Sequence, residues 1–135
     1  MLLFDTHVWI WVLEHDRRLG NRTLRLIVRA EALDSLRVSS ISVFEVPVLH
    51  VAGALRVSQP LDQWIRAGLE RVRVTELSTD TAIDAGYIPR NALPDPADRL
   101  LVATARQLDA TLVTAERAIL TYARGGHVRV QDARK

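Results

Sequence analysis

The chain contains no cysteine. That excludes a disulfide framework, a zinc–thiolate site and a thiol nucleophile, and it fits a reducing compartment. Lysine is nearly as scarce: among 18 basic residues only Lys135 is lysine, and the rest are arginine. A two-component receiver domain, which needs a lysine inside its acidic pocket, is thereby disfavoured. No glycine-rich phosphate loop appears among the six glycines, so nucleotide binding of the P-loop or Rossmann kind has no support. Position 7 is His7, where a haloacid-dehalogenase-type phosphatase would carry a second aspartate. Long apolar runs are absent too. The longest, VWIWVL at 8–13, is far too short to span a bilayer. The apolar start lacks a basic segment and carries Asp5 and His7, unlike a secretory signal. Together these absences predict a cytoplasmic protein with no membrane contact.

The 135 residues suggest one domain, 1–135, long enough to bury a substantial core. Apolar residues make up 48% and charged residues 25%, with a net charge of only +2, as in ordinary globular proteins. Arginine suits bidentate phosphate contact. Here the arginines are scattered rather than clustered, which equally fits a coding bias.

Short apolar strands alternate with helices along the whole chain, with no repeat, linker or low-complexity tract. Strands are expected at 2–4, 36–40, 72–77, 110–114 and 127–131. Helices are expected at 6–13, 22–34, 42–53, 60–71, 78–88, 96–108 and 115–123. Gly53 is a helix stop, Pro60 opens the next helix, and Pro47 should kink or delay the helix that contains it. The alternation predicts an α/β/α sandwich around a parallel sheet. The functional crevice of such a sheet lies at the C-terminal ends of its strands.

Four acidic residues sit where that rule points. Asp5 follows the first strand, Glu45 the second, Asp98 opens the 96–108 helix, and Glu116 follows TLVT. Three share a helical stripe with apolar residues: Asp98 with Leu101, Val102 and Ala105; Glu45 with Val48, Leu49 and Ala52; Glu116 with Ile119, Leu120 and Ala123. Capping explains each one singly. Ser42-x-x-Glu45 has the form of a capping box, and Asp95-Pro96-Ala97-Asp98 resembles one. Caps can face solvent, however, whereas these stripes face inward. Converging carboxylates repel one another, and some take up protons unless a cation joins them. Oxygen-only ligands suit Mg²⁺ or Mn²⁺, and such a site can activate water against a phosphodiester. Thr6 and Thr114 can hydrogen-bond in the site or cap neighbouring helices. Arg99 can reach a phosphate or form a surface ion pair. His7, Trp9, Trp11 and Trp64 read as packing, edge or interface residues. The apolar run 43–55 suits either a partner surface or the core.

The ordered set LLFDTHVWIWVL, VSSISVFEV and DPADRLLVATARQLDATLVTAE resembles PIN-domain ribonucleases of the VapC-type toxin group over nearly the whole chain. The resemblance implies the parallel α/β/α fold and divalent-metal-dependent cleavage of RNA. It also implies frequent homodimers and inhibition by a small cognate antitoxin. Asp5, Glu45 and Asp98 match the family's acidic metal-site residues. Glu116 matches a fourth position more usually held by aspartate, and Ala97 stands where the subgroup often has an aromatic. A catalytically silent domain of this kind, acting only through partners, and a DNA-directed nuclease are the alternatives.

Overall fold

The computed structural model describes residues 1–135. In chain order the elements are β1 (Leu2–Phe4), α1 (Thr6–Leu13), α2 (Asn21–Ala32), β2 (Leu36–Ser39), α3 (Ser40–Val51) and α4 (Leu61–Gly68). Then come β3 (Arg73–Thr75), α5 (Thr79–Tyr87), α6 (Pro96–Leu108), β4 (Thr111–Thr114), α7 (Arg117–Ala123) and β5 (Val130–Asp132). The five strands are parallel, in the order β3-β2-β1-β4-β5. Strand order reverses between β1 and β4, whose registered partners are Leu2–Thr111, Leu3–Leu112 and Phe4–Val113. In open parallel sheets, ligand sites lie at the C-terminal strand ends beside such a reversal.

Side-chain alternation along the strands separates two cores. Leu2, Phe4, Leu36, Val38 and Val113 face one side and pack with Val8, Trp9, Ile27 and Ile65 of α1, α2 and α4. Leu3 and Leu112 face the other side and pack with Leu101, Val102 and Ala105 of α6, Ile88 after α5, and Ile119 of α7. Helices therefore cover both faces, and the expected three-layer α/β/α sandwich is observed.

Two details of α3 correct the reading from sequence. The helix begins at Ser40, and its N-cap is Ser39, whose hydroxyl accepts from the Ile41 N–H. Ser42 is thus inside the first turn, and the Ser42–Glu45 capping box does not form. Pro47 also lies within an unbroken helix. It removes one backbone donor, but the fully buried Val46 beside it anchors the segment. The stop falls where expected. Gly53 adopts φ +77°, Gly53 N–H bonds the His50 carbonyl and Ala54 N–H bonds the Leu49 carbonyl, a Schellman ending. The last strand lies at Val130–Asp132, later than the 127–131 expected.

Candidate active site

Asp5 leaves β1 and caps α1. Its Oδ1 accepts from the Val8 N–H at 2.8 Å, and its Oδ2 accepts from the Thr114 hydroxyl at the end of β4. The residue is 3% exposed. Burial pushes its carboxyl above the usual range, against the opposing pull of Thr114, the Val8 N–H and His7; Glu116 adds to the upward push. The Thr114 hydroxyl in turn accepts from the Glu116 N–H at 3.0 Å.

Glu45 projects from the second turn of α3 and is half-buried. Its Oε1 lies 2.5 Å from the Thr6 hydroxyl, which is also 2.9 Å from the Ser42 hydroxyl. Asp98 is the third residue of α6, behind the N-cap Asp95, whose carboxylate accepts from the Ala97 N–H. Half-buried, Asp98 is pushed up to about 7, first by burial and then by Asp95, Glu116, Asp5 and Glu45. Every named charge acting on it is negative. Glu116 is exposed at the rim and is the N-cap residue of α7, yet its side chain makes no capping bond.

The sheet therefore brings Asp5, Glu45, Asp98 and Glu116 into one electrostatic neighbourhood from four separate segments. The two threonines are buried and turned onto the carboxylates rather than toward the opening. His7 is exposed beside Asp5. Arg99 is half-buried and belongs to none of the five ion pairs, and its Nε is buried without a partner. Ser42 is the participant that sequence reading missed. Its position three residues before Glu45 suggested a cap, whereas the side chain meets Thr6.

No three Asp, Glu or His side chains stand as a ready-made ion cage. Asp5 uses both oxygens on protein donors and Glu45 uses one. The donor chemistry nevertheless fits a hard divalent cation: the side chains offer only oxygens, and the negative charge is in excess.

A parallel sheet flanked by helices, with acidic residues gathered where strand order reverses, defines an α/β domain with an acidic strand-end site. The PIN domain family model matches residues 2–125, and the chain belongs to that family. It is 31% identical over 121 residues to Ribonuclease VapC22 of Mycobacterium tuberculosis, covering 90% of this chain and 91% of that one. The fold is similar to that in the crystal structure of VapBC2 from Rickettsia felis bound to a promoter DNA fragment. There the TM-score is 0.71 at 16% identity, over 96% of each chain. It is likewise similar to DNA-bound VapBC from Salmonella typhimurium, with a TM-score of 0.67 at 22% identity over 97% of this chain and 96% of that one.

Proposed function

We propose that this protein is the toxin of a toxin–antitoxin pair, an endoribonuclease that hydrolyses RNA phosphodiester bonds with Mg²⁺ or Mn²⁺ and is silenced by a cognate antitoxin. The observation that carries the proposal is the gathering of Asp5, Glu45 and Glu116 at the strand ends around a half-buried Asp98, whose proton affinity is raised first by burial and then by Asp95 and these three carboxylates. The ribonuclease relative and the antitoxin complexes among the structural neighbours support it.

Asp5, Glu45 and Asp98 would hold the ion, directly or through water, with Glu116 at the rim. When bound, the ion supplies positive charge that offsets the charge developing on the phosphodiester and eases deprotonation of water. The protein groups do the positioning. Thr114 and the Val8 N–H fix Asp5, and Thr6 fixes Glu45. In hydrolysis the water oxygen bonds to phosphorus, one ester P–O bond breaks, and the proton released by water ends on the leaving oxygen. Arg99, half-buried and in none of the five ion pairs, would offer its guanidinium to a backbone phosphate.

The test is cleavage of single-stranded RNA with Mn²⁺, with chelator, and against single-stranded DNA of the same sequence. RNA is expected to be cut only with the ion. Preferential cutting of DNA would transfer the activity to the other nucleic acid. No cutting by the native protein would leave a silent partner-binding domain.

Two apolar surfaces suit partners. On α3, Phe44, Val48 and Val51 are exposed on one face; on α5, Ile83 and Tyr87 are. Both helices pack against α6. The α3 face would join a second copy of the chain. A separate groove of about 750 Å³, lined by Trp9, Leu13, Leu24, Ile27 and Val28 among others, is shaped for an apolar segment of the antitoxin. Placing charge on the α3 face with Phe44→Glu and Val51→Asp should weaken self-association by roughly a hundredfold or more, read by light scattering across a dilution series. Unchanged mass would remove that face from the interface.

A further inference from the structure

We infer that Ser42 is a positioning residue for Glu45, acting through the hydroxyl of Thr6. The role in turnover rests on the nuclease function proposed above; the hydrogen-bond order beneath it does not.

Thr6 has one hydroxyl proton and two neighbouring oxygens, Glu45 Oε1 at 2.5 Å and Ser42 Oγ at 2.9 Å. A carboxylate can only accept, whereas a serine hydroxyl can also donate. The short contact to the charged oxygen therefore takes the Thr6 proton. Ser42 must then donate to Thr6, which gives the order Ser42 to Thr6 to Glu45. Ser42 is 0% exposed and Thr6 3%, so no solvent competes for either proton. A filled acceptor site on Thr6 leaves its proton one direction, toward Glu45, and polarises the O–H along the chain of bonds.

The same device recurs at the neighbouring carboxylate. Thr114 accepts from the Glu116 N–H and donates to Asp5 Oδ2. Two threonines, one from α1 and one from β4, each receive a donor on one side and hold a carboxylate on the other. At Asp5 the outer donor is backbone and beyond side-chain mutation. At Glu45 it is the Ser42 side chain, so this arm alone can be cut without moving the chain.

The experiment is a double-mutant cycle on the full chain with Ser42→Ala, Thr6→Val and their combination, plus Thr6→Ser. RNA turnover in Mn²⁺ and metal-free thermal melting are both measured. Ser42→Ala should lower kcat several-fold with KM unchanged. Thr6→Val should lower kcat more than tenfold, and Thr6→Ser should restore most of it. In the Thr6→Val background, Ser42→Ala should lower kcat no further. Melting gives an independent readout. Thr6→Val strands a buried Ser42 hydroxyl, so the double variant should melt above Thr6→Val alone. If Ser42→Ala lowers kcat equally in both backgrounds, or the double variant melts below Thr6→Val, the relay is wrong. If the native protein cuts no RNA, the nuclease reading fails, and the order of melting temperatures still tests the buried Ser42–Thr6 bond, without which there is no relay.

Discussion

Asp98→Asn is expected to lose RNA cleavage by roughly a thousandfold or more while melting higher than the native protein in chelator at pH 8. The two effects share one cause. Asp98 is pushed up to about 7 by burial and by four surrounding carboxylates. The folded protein thus binds this proton more tightly than the unfolded chain does. Its contribution to stability is complete below the ordinary carboxylate value of 3.8 and is lost as pH rises toward about 7. Taken at face value the shift corresponds to about 4 kcal/mol. Because the side chain is only half-buried, solvent screening reduces this to about 1 kcal/mol, a few degrees of melting temperature. Asparagine mimics the protonated state, so the variant should show little of this loss between pH 5 and 8.

Mn²⁺ should then invert the order. An ion that binds only the folded state stabilises it by about 2.7 kcal/mol at a hundred times its dissociation constant. The native protein should gain that stability, and Asp98→Asn should gain less. Melting curves at pH 8, with chelator and with Mn²⁺, test the crossing directly. Native-level cleavage by the variant would remove Asp98 from the chemistry. A variant melting below the native protein in chelator would remove the electrostatic strain.

Much of this site is legible locally. LLF followed by Asp5 marks a strand and its end, and Asp95-Pro96 marks the start of α6 at the residue where it begins. Helix positions and strand alternation are local consequences of residue type, and so is the Gly53 stop. The meeting of the acids is different. Asp5 and Thr114 are 109 positions apart, and their contact follows from β1 and β4 being neighbours. The pattern along the chain predicts a parallel sheet but does not order its strands. The family resemblance supplied what periodicity alone leaves open. Ser42 was misread for a related reason: a serine three residues before a glutamate fits a helix start, and only the start at Ser40 shows it belongs elsewhere. Pro47 does not delay the helix, which starts before it at Ser40 and continues through it to Val51. Glu116 shares a stripe with Ile119, yet it stands at the outer end of a short helix, where the stripe has already reached solvent.

Asp5→Asn and Asp5→Ala should both lose RNA cleavage by roughly a thousandfold, but they should separate in stability. Asp5 has two structural duties besides its charge: it caps α1 through Oδ1 and receives the buried Thr114 proton on Oδ2. Asparagine caps a helix about as well as aspartate. Its amide can also donate to the Thr114 oxygen once that hydroxyl turns away, and it removes a charge whose burial is unfavourable. The Asn variant should therefore melt within a few degrees of the native protein in chelator. Alanine gives up the cap, worth about 1 kcal/mol, and strands a Thr114 hydroxyl that is 0% exposed, a further penalty of about 1–3 kcal/mol. Relief of the buried charge offsets part of this, leaving a net loss of about 2 kcal/mol. Denaturant unfolding of the three proteins in chelator measures the difference, and cleavage assays on the same samples measure the chemistry. Equal destabilisation by Asn and Ala would mean that the fold needs the charge itself. Cleavage retained by either variant would place the reaction elsewhere.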